Sequence, residues 1–406
     1  MTYIELYTRT AIENICSSII SPPDRVVLVG DDKKKVSRAA AVYKDILKKR
    51  GCDVEFICKT ASKNNMQSVV RLLSDIIETY DDCVFDIDGG YDIFLVAAGI
   101  VAERYKDKNI QLHRFNVIGN RLIDCDGDGN LISSVEPPEI TVRENVRVYG
   151  GDIVGNGSGE EDWNWTEDFK KDIDLMWNIC KKNPSRWNSQ INLFGAACQP
   201  VGEGLTVQSP LKSVKSLLRQ DGENYVFADN IYSNLYSAGL ITDYSCDEVL
   251  RVTFKNKQIM HCLTKAGQVL EMKITLAAKR ITEDEKPFYC DVVNGVRIDW
   301  DGVYSGGQNT ENEIDVLAMH GMRPVFISCK NGKVDTEELY KLNSVALNFG
   351  GKYAKKVLVA TALEKNKKPN PQSIRARAAD MGIRLVENVA FLDDKELEKL
   401  VRSFAI

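Results

Sequence analysis

No run of about 18 apolar residues exists in the chain, so no segment reads as a membrane-spanning helix. The first residues, Met1-Thr-Tyr-Ile-Glu-Leu-Tyr7, hold no basic stretch leading into an apolar one, and no secretion signal is expected. Histidine is scarce, at three residues, and the 11 cysteines are scattered without one Cys-x-x-Cys pair, which excludes zinc sites of the usual spacing. Cys16, Cys58, Cys83 and Cys180 lie in apolar runs and read as reduced core residues, so a cytoplasmic location is expected. Positive charge is not in excess: a net charge of −5 argues against a scaffold that coats nucleic acid constitutively, though a basic surface can be local. Finally, no Gly-x-Gly-x-x-Gly follows the first predicted strand, which removes the fingerprint of a nicotinamide enzyme.

What is present is a globular composition, 44% hydrophobic and 27% charged, over 406 residues, enough for two or three domains. Residues 1 to about 120 alternate strand and helix. Strands are predicted at 3–7, 25–30, 54–58, 83–87 and 111–117, with helical periodicity at 10–20, 34–50, 65–80 and 91–105. Repeated βα units imply a parallel sheet with helices on both faces, and ligands on such sheets bind beyond the carboxyl ends of the strands.

Two stretches fall at those ends. Thr8-Arg9-Thr10 offers hydroxyls and a guanidinium to phosphates and bases; the plainer reading is a helix cap and a solvated arginine. Asp88-Gly89-Gly90-Tyr91 turns a strand into a helix, and its glycines let backbone N–H groups and a helix N-terminus approach an anion. Asp31 and Asp32 end the second strand and are expected to cap the next helix. Asp124-Cys-Asp126-Gly-Asp128-Gly129 begins like a calcium loop, but its twelfth position is Val135, so it reads as a hairpin turn.

Residues 150–161, rich in Gly, Asn, Ser and acids, read as a linker. Residues 163–181 are helical. Two helical pieces follow at 213–218 and 231–239, then strands at 249–255 and 258–262 flanking an Asn256-Lys257 turn. Helix, helix, hairpin is the outline of a winged helix, and its sparse Lys and Arg favour a coupling role over DNA binding.

The last third carries the chemistry. Residues 265–279 form a helix with Leu270, Ile274 and Ala277 or Ala278 on one apolar stripe and Glu271 beside it. Two apolar strands follow, joined at His320-Gly321-Met322-Arg323, with Asp315 ending the first and Lys330 the second. Pairing would bring Asp315 and Lys330 to one end of a sheet, a carboxylate for a divalent metal beside a cation for the attacked phosphate. Helix with Glu, strand with Asp, strand with Lys is the order of a PD-(D/E)xK nuclease core. One position departs from it: Ser328 stands two residues before the lysine, where that motif has an acid, and a hydroxyl is a poor ligand for Mg²⁺ or Mn²⁺. Glu313 alternates with Asp315, shares its face, and could assist, as could Ser328. Cys329 is expected in the core, and His320 at the surface. Residues 365–371 form a basic, proline-containing loop suited to a phosphate backbone.

With Gly-Gln-Val-Leu-Glu271, Asn-Glu-Ile-Asp315-Val, Val-Phe-Ile-Ser-Cys-Lys330-Asn-Gly and Phe349-Gly-Gly351, the chain from about Gly267 resembles the nuclease domain of the Card/Can-type effectors of CRISPR defence. Those carry a CARF (CRISPR-associated Rossmann fold) sensor ahead of the nuclease, and Asp88-Gly89-Gly90-Tyr91 resembles, in a more acidic form, the Gly-Gly turn of such sensors. The resemblance implies an α/β chain with a Rossmann-like CARF domain at 1–150, a winged-helix-like connector at 151–260 and a PD-(D/E)xK nuclease domain at 261–406. It implies a homodimer of type III antiviral defence, activated by cyclic tetra-adenylate, that cleaves DNA, with RNA as a second candidate substrate, as single strands or supercoiled plasmid, with Mn²⁺ or Mg²⁺. Glu271 and Asp315 would hold the metal, and Glu271, Asp315 and Lys330 would be catalytic. Thr8, Arg9, Thr10, Asp88, Gly89, Gly90 and Tyr91 would bind the cyclic oligoadenylate. The rival reading is a ligand-gated CARF/winged-helix transcriptional regulator with a degenerate nuclease fold, which Ser328 favours.

Overall fold

A computed structural model describes residues 1–8, 12–108, 110–116, 121–126, 128–136, 138–154, 163–197, 204–219, 229–302, 311–332, 334–361 and 370–406. Arg9 and Thr10, most of the 150–161 segment and most of the basic loop at 365–371 lie outside the described residues.

The N-terminal layer is built on β1 (Thr2–Leu6), a 3₁₀ turn (Ile12–Ile15) running into α1 (Cys16–Ile20), β2 (Arg25–Gly30), α2 (Lys33–Lys49), β3 (Glu55–Thr60), α3 (Met66–Thr79), β4 (Cys83–Asp86), α4 (Asp92–Arg104) and β5 (Gln111–Asn116). These five strands are parallel, as the βα alternation predicts, and β6 (Arg121–Cys125) and β7 (Leu131–Val135) add an antiparallel hairpin, giving the order β3-β2-β1-β4-β5-β6-β7. The acidic turn at 124–129 is that hairpin's turn, closed by Asp126 accepting from the N–H groups of Asp128 and Asn130. Asp32 caps α2, accepting from the Lys34 and Lys35 N–H groups, whereas Asp31 pairs instead with Lys63 at 2.9 Å.

After α5 (Val142–Val148), the two-residue strand β8 (Asp152–Ile153) leaves the N-terminal layer and pairs with a strand far downstream. The middle region follows as α6 (Glu167–Cys180), α7 (Pro184–Ala197), β9 (Thr206–Pro210), α8 (Leu211–Arg219), α9 (Asp229–Ser237), β10 (Ile241–Cys246) and β11 (Val249–Phe254), with a three-stranded sheet in the order β10-β11-β9. Helix, strand, helix, helix, hairpin is a winged-helix arrangement. The hairpin sits earlier than the sequence suggests: β11 pairs with β10, and residues 257–262 form helix α10 (Lys257–Cys262) because Asn256 caps it, accepting from the Ile259 N–H at 2.9 Å.

The C-terminal sheet follows α11 (Gln268–Arg280) and a small hairpin of β12 (Thr282–Glu283) and β13 (Lys286–Pro287). It contains β14 (Asp291–Asp299), β15 (Glu311–His320), β16 (Arg323–Lys330), then α12 (Thr336–Gly350), β17 (Lys355–Ala360), α13 (Pro371–Asp380), β18 (Ile383–Val386) and α14 (Asp394–Arg402). The order is β18-β17-β16-β15-β14-β8, with β16, β17 and β18 parallel and the others antiparallel. Two expectations change. α11 is not half-exposed: every residue from Gln268 to Ala278 is buried, and Lys273 is neutralised there by Asp174 at 2.6 Å and Asp394 at 2.7 Å. Asp315 does not end its strand, because β14 pairs along β15 and keeps it extended through both ends.

Candidate active site

Glu271, Asp315 and Lys330 meet in one cleft of about 300 Å³, which Lys265, Gly267, Glu313, Asn331 and Asn188 also line. Glu271 stands in the first turn of α11, opened by Gly267 at φ 94°, a left-handed position that suits glycine. Below it runs a buried amide network: Gln268 donates to Asn294 at 3.2 Å, and Asn294 donates to Thr275 and to the Asp315 carbonyl at 3.1 Å. This network ties α11 to the middle of β15.

The register of β15 against β16 sets Asp315 opposite the end of β16. One of its oxygens accepts from the Cys329 N–H at 2.6 Å and from the Ser328 hydroxyl at 3.1 Å. Ser328 thus aims the aspartate, a task a carboxylate in its place could not perform. Glu313, expected to assist, is engaged by Lys265 at 3.0 Å at the rim. Cys329 is buried with its thiol held well above the usual range by burial, so it is inert core. His320 lies at the far end of the hairpin, bonded to the Phe288 carbonyl and stacked on the Phe288 ring.

The electrostatics are those of two acids pressed together. Burial raises the Glu271 carboxyl strongly, and the neighbouring Asp315 raises it further. Asp315 is raised by burial, against the lowering effect of Lys330 and of the Cys329 and Ser328 hydrogen bonds. One Glu271 oxygen is buried without a hydrogen-bond partner. An unpartnered carboxylate oxygen facing a second acid is a set that fits a divalent cation. Among the described residues no group of three or more His, Cys, Asp or Glu side chains is arranged to hold a metal, so the protein's share of the ligands would be these two carboxylates.

Three residues of the site carry no mark in the sequence. Glu338, in the first turn of α12, lies 2.8 Å from the Lys330 ammonium. Asn331 donates to the Asn188 side chain at 2.8 Å, and Asn188 donates back to the Asn331 carbonyl, so a helix of the middle region reaches the cleft. An acid eight residues after Lys330 that also serves a helix start had no chemical signal, and Asn188 comes from another layer altogether.

The second cluster lies at the carboxyl edge of the N-terminal sheet. Gly89 packs so closely that a Cβ there would sit 2.1 Å from the Leu6 carbonyl oxygen, and Gly90 has φ 91°. Tyr91 is exposed with Lys63 over its ring at 4.7 Å. Asp88 is half-buried and accepts from the Phe115 N–H. Thr8 follows β1 at the same edge.

Residues 266–402 match the family model described as the Card1-like endonuclease domain. No curated protein matches the chain. Among solved structures, it is similar to protein VC1899 from Vibrio cholerae, with a TM-score of 0.76 and 19% identity over 99% of this chain and 97% of that one. It is also similar to Can2 from Sulfobacillus thermosulfidooxidans, solved in complex with cyclic tetra-adenylate, with a TM-score of 0.70 and 16% identity over 100% of this chain and 99% of that one. At these identities the likeness is one of fold, and it runs the length of the chain. The C-terminal domain is a nuclease domain.

Proposed function

We propose that this chain, with its Card1-like endonuclease domain, is a metal-dependent nuclease of type III CRISPR defence, switched on by a cyclic oligoadenylate, most simply cyclic tetra-adenylate. The observation that carries the reading is the unpartnered Glu271 carboxylate beside Asp315, in the same cleft as Lys330. The cyclic ligand follows from the chain-long likeness to Can2, whose structure holds that ring, and from the Gly89-Gly90 turn at the sheet edge. A symmetric ring suits a site shared by two sensors, and therefore a homodimer.

Glu271 and Asp315 would hold Mn²⁺ or Mg²⁺. When bound, such an ion acidifies a water and offsets the charge of the scissile phosphate. The Cys329 N–H and Ser328 hydroxyl fix the rotamer of Asp315, so its free oxygen points one way into the cleft. Lys330 keeps its proton: the nearby Asp315 and Glu338 raise it, and burial opposes them. It therefore meets the phosphate as a cation and stabilises the charge that gathers on its oxygens. Asn188 and Asn331 present amide groups to the strand that enters.

A regulator is the second reading, and one observation favours it: the winged-helix topology of the middle region. The test separates the two. Labelled single-stranded DNA, single-stranded RNA and supercoiled plasmid are incubated with the protein and Mn²⁺, with and without cyclic tetra-adenylate, beside Lys330→Ala. Cleavage that needs the ligand, and is lost in the variant while ligand binding persists, is the expected result and names the substrate. Ligand binding without cleavage by the wild type, together with sequence-specific duplex binding, would make it a regulator.

A further inference from the structure

Lys330 has a companion that links it to the far side of the molecule. Glu338 holds its ammonium at 2.8 Å and sits in the first turn of α12, where Asp335 caps the Glu338 N–H. α12 is 15 residues long and buries Leu339, Leu342, Val345, Ala346 and Phe349. It ends at Gly350, where a Cβ would meet Ala354 at 2.6 Å and the Phe326 ring at 2.7 Å, so the helix end is clamped to the sheet.

The turn that follows faces the sensor. Lys352 approaches Glu13 at 4.0 Å, and Lys352 and Tyr353 wall a cavity of about 570 Å³ whose opposite wall includes Asp88 and Arg114. Glu13 is 1% exposed, and its other oxygen has no hydrogen-bond partner. It belongs to the 3₁₀ turn that begins two residues after Thr10. Ile12 and Cys16 on either side of it share one apolar core with Leu339, Leu342, Val345 and Phe349 of α12. The stretch following Thr8-Arg9-Thr10 and the helix carrying the partner of Lys330 are therefore packed as one piece.

We infer that Glu338 positions Lys330, and that α12 carries the state of the sensor's ligand edge to it through Glu13 and Lys352. The inference rests on the reading of the chain as a ligand-activated nuclease. A ligand at the Gly89-Gly90 turn, against which Asn14 of the 3₁₀ turn packs, displaces that turn; the displacement reaches the end of α12 through the shared core and the Glu13–Lys352 contact, and the helix delivers it to the Glu338–Lys330 pair.

The experiment uses the full chain and four variants, Glu338→Gln, Glu338→Asp, Lys352→Ala and Lys352→Arg, with plasmid cleavage and cyclic tetra-adenylate binding both measured. Glu338→Gln is expected to lower kcat about ten- to hundredfold at little-changed KM, with partial recovery in Glu338→Asp. Lys352→Ala is expected to keep its unstimulated rate and its affinity for the ring within about twofold while losing stimulation by it, and Lys352→Arg to regain stimulation. Full stimulation of Lys352→Ala, or an unchanged kcat in Glu338→Gln, overturns the inference while leaving the nuclease intact. A wild type that the ring does not stimulate removes the underlying reading, and the inference with it.

Discussion

Glu271 is buried in a place where the fold does not satisfy it. It is 5% exposed, faces Asp315 and leaves one oxygen without a partner. Leaving a buried polar group unsatisfied costs about 1–3 kcal/mol, more if it is charged. Glu271→Gln, which removes the acid pressed against Asp315, should therefore be more stable than the wild type without metal, by up to about 1–3 kcal/mol, while cleavage is lost. Added Mn²⁺ should raise the melting temperature of the wild type and not of the variant, because only an ion bound to the native state stabilises it. Calorimetry with and without Mn²⁺ checks both halves. A variant less stable than the wild type in the absence of metal would mean that Glu271 has an apo-state partner, and the argument for a cation would fall.

The N-terminal sheet carries a related arrangement at the scale of an element. β1 and β4 pair in register, with Glu5 opposite Asp86, and both are buried. Burial raises Glu5 well above the usual carboxyl range, lifts Asp86 to about 6, and, with help from Asp86, lifts Asp88 to about 8. The native state therefore binds protons more tightly here than the unfolded chain does. Stability from these groups is fully present below an unfolded carboxyl value of about 4 and is lost as pH rises through the folded values. We expect the urea midpoint to fall from pH 6 to pH 8, and Glu5→Gln to flatten that fall. A midpoint that climbs over the same interval would contradict the burial of these acids as neutral groups.

How much of this was legible in the sequence depends on how local each signal is. The βα alternation and the hairpin at 124–129 rest on periodicity and turn chemistry within one or two elements, and the fold displays them; Glu271, Asp315 and Lys330 are marked by the motif order helix, strand, strand, and the fold brings them into one cleft. What could not be read comes from distance. β8 is two residues long and is an edge strand only because β14 lies beside it. α11 is buried on all sides because α6 and α14 cover the face that the sequence leaves polar, with Lys273 satisfied by acids 99 and 121 residues away. Ser328 reads as a lost ligand until the register of β15 and β16 turns its hydroxyl onto Asp315.

For the whole molecule, the decisive feature is a core that ignores the boundary between the N-terminal sheet and the C-terminal nuclease domain. Ile12, Cys16, Phe115 and Leu122 pack with Leu317, Met319, Met322, Phe326 and the buried face of α12 in one cluster, and the Cys16 sulfur lies 3.0 Å from the Met322 sulfur. A shared core makes the two layers cooperative: neither can open without exposing apolar surface of the other. Truncating fully buried Met322 to Ala should cost about 2–5 kcal/mol, and the cost should fall on both layers. The chain supplies separate reporters. All five tryptophans lie between residues 163 and 300, so their fluorescence follows the middle and C-terminal regions, while labelling of buried Cys83 read by peptide mass spectrometry follows the N-terminal sheet. In the wild type both signals should change at one urea concentration, and in Met322→Ala both should move down together. If fluorescence shifts while Cys83 stays protected, the N-terminal sheet and the nuclease domain unfold separately. The proposed activation would then lack the rigid connection that a single core provides, and would have to run through rearrangement between the protomers of the proposed dimer instead.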